Sequence, residues 1–557
     1  MKILKTALLF MVVSLFTFCS NDDDAKGDKN NANIQSSDNN TWESNIIGAI
    51  DGQIALIGSA NFMEIIEKSS IMDAEIFPGM YKSIVMGYLD SENLGIQLEG
   101  NNHFVVVLDD MGELDYVFAF SNVLDSKKIA KNLHMYLGGR TDKEDGYEFL
   151  KTSDGVVFGW DDQHMITAIT DKRNRDVNEL KAKVKHLLNA RGKDAEIDEN
   201  LLTYLKREDD FNMFINYRSY MEFIGNMNSE LEELYNNEDF LNLMDYTMVN
   251  SANFNNGEMV FDLQILNNGS STFKFLKDQS LSNDYLNYLT DNNRLIAAGF
   301  LNMDLESYSS ILKFILDSNL DVYRDFNEFL AQMGLTEDEI FNIFNGEMAF
   351  SLIDAPETNS QAINGDDFSD DFGEWEDDFF DDFDEMDGFG NSAEEPAPSF
   401  LVTLGINDQS ALMKLMANAP IEIMSDQLIE IENDIHLLLK DNHLFLGSPL
   451  ALMNDLKANG KLNAYTQIKS IGAPIYCYVN TDASSYPERV LSTLENEGGL
   501  ATFNEIMGIF SSFEVKGTNE NVRYEIKMND KSVNSLKQIV DMILKFSMSE
   551  NPDFMNV

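Results

Sequence analysis

Residues 46–69 read IIGAIDGQIALIGSANFMEIIEKS: an apolar run, a short polar break, then apolar positions at helical spacing. The hydrophobic period changes from two to about 3.6 across the break, the pattern of a strand feeding an amphipathic helix. The pattern returns as YVFAFSNVLDSKKIAKNLHMYL from Tyr116, with Ser126 at the helix start, and as FNMFINYRSYMEFIGNM from Phe211. It returns again as LIAAGFLNMDLESYSSILKFIL from Leu295, SFLVTLGINDQSALMKLMANA from Ser399, IYCYVNTDASSYPERVLSTL from Ile475 and YEIKMNDKSVNSLKQIVDMIL from Tyr524. The breaks carry Asn or Asp, and side-chain oxygens there accept the free N–H groups of a first helical turn.

Hairpin signals lie between these units. YEFLKTSDGVVFGW turns at Asp154-Gly155 and MVFDLQILNNGSSTFKFL at Asn268-Gly269; DIHLLLKDNHLFLG turns near Asp441-Asn442 and FEVKGTNENVRYEIKM after Gly517. Strand, helix and hairpin in alternation predict an α+β fold, with repeated strand-helix-hairpin units forming mainly antiparallel sheets covered by helices. The irregular spacing of the units points to duplicated domains, not a solenoid. The expected division is an N-terminal α+β domain over 45–205, a middle one over 206–361 and a C-terminal one over 399–557, with an acidic segment over 362–398.

The chain opens MKILKTALLFMVVSLFTFC, two lysines followed by an apolar run too short for a permanent membrane span. That is an export signal over 1–18. The junction resembles the lipobox of bacterial lipoproteins, which makes Cys19 the acylated residue; Phe18, where a small residue is usual, departs from the pattern. Residues 19–44 are rich in Asn, Asp, Ser and Gly and read as a flexible tether. Asp22, Asp23 and Asp24 resemble the acidic export tag of surface lipoproteins. The expected location is the outer membrane, lipid-anchored and facing outward, with the periplasmic face as the alternative.

The formal net charge is -55, and loss of Lys2 and Lys5 with the signal takes it to -57. A field of that sign repels nucleic acid and draws basic partners. Between Asp366 and Asp387 there are thirteen carboxylates, and no Lys or Arg occurs from Asp325 to Gln409. Such a run resists compaction, yet Phe368, Phe372, Trp375, Phe379, Phe380 and Phe383 are set within it. Two readings stand: an extended linker, or a docking segment whose rings meet a basic protein surface and whose acids collect Ca²⁺ weakly.

Catalytic signals are missing from the sequence. The histidines (His103, His134, His164, His186, His436 and His443) are isolated, and no HExxH, GxSxG, Walker loop, GxGxxG after a strand or CxxC occurs. His436 and His443 flank the turn at 441–442 and, with Asp434 or Asp441, offer a zinc arrangement to set against ordinary packing roles. Paired carboxylates could run glycoside hydrolysis, but with 95 acidic residues any pair is available by chance. Cys477, in APIYCYVN, reads as a buried thiol. No catalytic, cofactor-binding or metal-binding residue is nominated, and no cofactor is implied.

With a lipoprotein signal and tether before IIGAIDGQIALIGSANFMEII, and SFLVTLGINDQSALMKLM before DIHLLLKDNHLFLGSPLALMNDL, the chain resembles an uncharacterised Bacteroidetes lipoprotein family defined by a large domain of unknown function. The resemblance spans roughly 45–550 and implies no activity, cofactor or catalytic residue. The function expected is a non-enzymatic cell-surface lipoprotein, a binding or accessory component of an outer-membrane assembly. An extracellular hydrolase of glycan or peptide and a carrier of an apolar ligand are the alternatives.

Overall fold

A computed structural model describes residues 41–73, 90–109, 111–138, 141–152, 155–170, 177–192, 199–227, 241–242, 245–267, 274–289, 295–309, 320–353, 399–417, 428–432, 435–462, 468–482 and 499–550, with 486, 491, 492 and 495. Its strands are β1 (Gln53–Asn61), β2 (Asn101–Leu108), β3 (Leu114–Asn122), β4 (Asp142–Glu144), β5 (Tyr147–Lys151), β6 (Val156–Trp160), β7 (His164–Ile169), β8 (Phe211–Asn216), β9 (Tyr246–Asn255) and β10 (Glu258–Asn267). They continue with β11 (Leu295–Asn302), β12 (Phe344–Ile353), β13 (Ser399–Ile406), β14 (Leu428–Glu432), β15 (Ile435–Lys440), β16 (His443–Ser448), β17 (Ile475–Asn480), β18 (Phe510–Gly517) and β19 (Asn521–Met528).

The chain divides into two compact units, one of Met1–Phe275 with Glu505–Val557, the other of Leu276–Asn504. In the first, strands pair in the order β4-β5-β6-β7-β3-β2-β1-β8-β9-β10-β19-β18, every pairing antiparallel. In the second the order is β14-β15-β16-β13-β12-β11-β17, again antiparallel. This division runs across the boundary expected at 205/206, because β8 pairs with β1, and it assigns β18 and β19 to the first unit.

Seven strands of the first unit, β5-β6-β7-β3-β2-β1-β8, repeat the connectivity of the seven among the described residues of the second. Local details repeat with them. Gly58 on β1 faces Phe104 on β2, and Gly299 on β11 faces Phe350 on β12. A Cβ on either glycine would run into that ring. Gly100 (φ 79°) and Gly346 (φ 87°) take left-handed backbone just before the residues opposite Asn61 and Asn302, a conformation that costs glycine nothing. The N–H groups of Leu124 and Asp125 donate to the Gly95 carbonyl, and those of Asn407 and Asp408 to the Ile343 carbonyl. Asp125 and Asp408 then each accept a first-turn N–H of the helix that follows.

The helices needed below are α1 (Phe62–Ser69), α2 (Ser126–Leu137), α3 (Val177–Ala190), α4 (Glu337–Phe341), α5 (Gln409–Ala417) and α6 (Leu450–Asn459). In the first unit α3 packs on β5, β6 and β7, where Leu180, Val184 and Leu188 meet Val157, Ile166 and Phe118. On the other face Ile129 of α2 meets Phe158, Trp160 and Met165. The second unit has the same brace, α6 on β14, β15 and β16, with Met453 and Leu456 against Leu438 and Phe445.

The expected α+β architecture with helices covering the sheets is corrected here: the protein is mostly antiparallel sheet, and its helices are short. Twelve strands at about 4.8 Å spacing span roughly 50 Å, whereas a fourteen-residue helix such as α3 is about 21 Å long. Such helices brace a few strands each and do not form a layer. The hairpin turns at 441–442 and 517 are present, joining β15 to β16 and β18 to β19. β5 pairs with β6 as the sequence predicts, while Asp154 of the turn expected there lies outside the described residues. The turn at Asn268-Gly269 lies outside the described residues.

Candidate functional site

Cys19 and the segment carrying Phe368, Phe372, Trp375, Phe379, Phe380 and Phe383 lie outside the described residues. The zinc arrangement does not form. Across the β15–β16 hairpin His436 pairs with Gly447 and His443 with Lys440, so the two histidines are four residues apart along the strands, about 14 Å. His436 is buried; the His443 ring sits among Tyr285, Tyr288 and Phe445, with Nδ1 2.8 Å from the Asp441 carbonyl. Among the described residues no group of three or more His, Cys, Asp or Glu is placed to hold a metal ion. Cys477 lies half-buried on β17 opposite Gly299, and burial pushes its thiol pKa up, away from nucleophilic use.

The second unit holds a cavity of about 580 Å³, lined by Lys277, Asp304, Leu305, Glu306, Ser309, Asp338, Phe341, Asn342, Phe344, Asn345 and Asn407. That is the volume of a small-molecule site. Its wall comes from two of the polar breaks, after β11 and after β13, and from the turn between α4 and β12. Asp304 and Asn407 sit where the chain leaves a strand for a helix. Asp338 and Phe341 lie on α4, whose start is fixed by a capping box between Thr336 and Glu339.

The polar groups are held in place. Lys277 Nζ donates to the Asn345 carbonyl at 2.5 Å. Asn342 Nδ2 donates to the Asp338 carbonyl at 2.7 Å, and Asn407 Nδ2 to the Asn342 carbonyl at 3.3 Å. Asn345 Nδ2 donates to Glu347 at 2.8 Å while its Oδ1 accepts the Glu347 N–H at 2.9 Å. Asn345 also lies directly over Gly405, where any Cβ would displace it. With three carboxylates and one ammonium, the wall carries an excess of two negative charges.

None of these residues was nominated from sequence. The quoted segment LIAAGFLNMDLESYSS contains Asn302, Asp304, Glu306 and Ser309, which read as an ordinary helix start. The signal that could have found them is the contrast with IALIGSANFMEII, where the first helical turns of the matching break carry Phe62, Met63, Ile65 and Ile66.

In the first unit, His103 on β2 is 6% exposed and its Nδ1 has no hydrogen-bond partner. Burial pushes its pKa down from 6.5 to about 4. The unfolded chain therefore takes up this proton first, and the neutral ring's contribution is complete above pH 6.5 and lost as pH falls towards 4. The shift corresponds to about 3 kcal/mol. Urea unfolding at pH 7 and pH 4.5 should show the native chain losing about 2 kcal/mol more than His103→Leu between the two. Equal losses would place the proton uptake elsewhere.

No family model and no curated protein matches the chain. Among solved structures it is similar to crystal form III of TP0453, with 9% identity, 42% of this chain and 88% of that chain covered, and a TM-score of 0.25. Form I gives 8% identity, coverages of 43% and 82% and a TM-score of 0.25. Form IV gives 10% identity, coverages of 40% and 82% and a TM-score of 0.23. A likeness this low carries no argument about fold or function.

Proposed function

We propose that the protein is a non-enzymatic, lipid-anchored surface lipoprotein that binds a ligand or partner as an accessory of an outer-membrane assembly. The anchor rests on LFTFC followed by SNDDD, which resembles the lipoprotein junction and surface tag. The observation that carries binding is the cavity of the second unit. Its polar side chains are tied to backbone carbonyls before any ligand arrives, so little ordering entropy opposes capture. The acidic, Phe-rich segment supplies a second means of contact, to a basic protein surface.

A glycan or peptide hydrolase is the second reading, because Asp304, Glu306 and Asp338 line one cavity. Turnover of a glycan or peptide by the native chain, abolished in Asp338→Asn, would replace the binding reading with that one.

The test is a crosslinked pull-down from intact cells, using the full chain, the chain lacking 365–390 and Cys19→Ala. Cys19→Ala should leave the membrane fraction, and a defined partner should be captured by the full chain. Loss of that partner with 365–390 assigns docking to the acidic segment; its retention assigns docking to the folded units. Retention of Cys19→Ala in the membrane would overturn the anchor, and capture of no partner would overturn the assembly role.

A further inference from the structure

We infer that the C-terminal tip of α2 in the first unit dips into the headgroup layer of an anionic lipid bilayer, a second membrane contact beside the lipid anchor. This rests on the anchored reading above and deepens it.

The first argument is what the end of the helix exposes. The inner face of α2 is Ile129 with Ala130 and Leu133, packed towards Phe158, Trp160 and Met165. Burial stops there. Met135 is 57% exposed, Tyr136 51% and Leu137 49%, and His134 and Gly138 on either side are exposed as well. At about 100° per residue the three apolar side chains spread over about 200° of arc. A flat protein partner would cover one or two of them, whereas a soft phase closes round all three. Met and Leu supply apolar bulk for such a phase, and Tyr is a residue of the membrane–water interface.

The second argument is charge. From Ser126 to Thr141 the sequence has four Lys or Arg and no Asp or Glu, in a chain of net charge -55. Lys127 and Lys131 are exposed two turns and one turn before Met135, on the same side of the helix. Neither ammonium has an ion-pair partner among the described residues, whereas Lys181 and Lys185 of α3 are paired with Glu144 and Asp145. The acids bonded to α2, Asp125 and Asp162, are at its N-terminal end, away from the tip. Free ammonium groups behind an apolar tip match anionic headgroups above acyl chains. The negative charge of the rest of the chain is screened beyond about 8 Å at physiological ionic strength, so the groups at the contact decide.

The third argument is reach. The Trp42 ring lies 4.1 Å from that of His164, and His164 is paired with Asn122, four residues before α2 begins. The chain that leads back to Cys19 therefore leaves the first unit near the base of α2. A coil as long as 19–40 spans about 26 Å, and α2 itself about 18 Å, so anchor and tip can meet one bilayer.

Vesicle sedimentation of the otherwise complete mature chain carrying Cys19→Ala reads the tip without the anchor. Expected is reversible binding, rising with lipid concentration, to vesicles of equimolar phosphatidylcholine and phosphatidylglycerol, and weaker binding to phosphatidylcholine alone. Met135→Ser with Leu137→Ser should lower the partition about tenfold or more. Lys127→Gln with Lys131→Gln should lower it severalfold on the mixed vesicles and leave phosphatidylcholine binding unchanged. Neither pair should move the urea midpoint. No vesicle binding, equal binding by the serine pair, or a midpoint lowered as for a core residue, meaning that the chain itself covers the tip, would overturn the inference. So would capture of a peptide of residues 365–390 by the tip in place of vesicles, which would assign it to a protein partner. Contact of this reversible kind washes off, so Cys19→Ala still leaves the cell membrane fraction, and failure of the anchor and failure of the tip are read separately.

Discussion

Asp210→Ala should lower the unfolding free energy by about 3–5 kcal/mol, the scale for removing one partner of a buried ion pair. Asp210 has a side chain 1% exposed, with Lys68 Nζ 2.5 Å from Oδ1 and the Phe254 N–H donating to Oδ2 at 2.7 Å. Its own carbonyl accepts the Asn61 N–H. One residue thereby ties together the end of β1, helix α1, the start of β8 and the strand β9. Burial pulls the Lys68 pKa down, but hydrogen bonds and charge from Asp210 and Glu64 outweigh it and the net direction is up. In the alanine variant the Phe254 N–H loses its acceptor, and Lys68 keeps only Glu64, whose side chain is 41% exposed. Asp210→Asn, which can still accept the N–H, should lose less. The comparison is Glu148→Gln on the exposed partner Lys143, where about 1 kcal/mol or less is at stake. Urea unfolding that gave Asp210→Ala no larger an effect than Glu148→Gln would remove this network from the fold's supports.

Asp210 also shows where sequence reading stops. In KREDDF it looks like its neighbours, a charge in a solvated run, and only the register of β8 turns it inward. Strands and turns were legible because their signals are local. At Asp441-Asn442 both residues take left-handed backbone (φ 50° and 59°), as a tight hairpin requires, and Asn and Asp tolerate it better than most residues. The balance between sheet and helix was not legible. SFLVTLGINDQSALMKLMANA announces a strand and a helix with equal force, and the helix is only nine residues long, Gln409–Ala417. How many strands align depends on pairings such as β1 with β8, between residues some 150 apart, which no local period encodes. The cavity escaped for a related reason. Asp304, Glu306 and Asn407 belong to breaks where polar residues are needed anyway, so their convergence shows only once β11, β12 and β13 are side by side.

Trp160→Ala should cost about 3–5 kcal/mol, the range for a large aromatic removed from a closed core. This tryptophan is the last residue of β6, fully buried, paired with Glu148 and Met165. It shares its face of the sheet with Phe158, and the ring packs among Leu150, Met165, Val123 and Ile129. Gly159, between them, points to the opposite face under Val184 of α3, where a Cβ would meet that side chain and Phe149. Trp160 therefore fills the α2 side while Gly159 leaves room on the α3 side, and the strand is closed on both faces. The indole Nε1 is buried without a hydrogen-bond partner. That detail sets a second expectation: Trp160→Phe removes the unsatisfied N–H along with part of the ring, so the relief of desolvation offsets part of the lost packing. Its cost should be about 1 kcal/mol, several times smaller than that of alanine. The two variants compared by urea unfolding followed in the far ultraviolet separate the terms. A phenylalanine as costly as alanine would mean that the indole N–H is bonded and that polar satisfaction, more than volume, holds this corner of the sheet together.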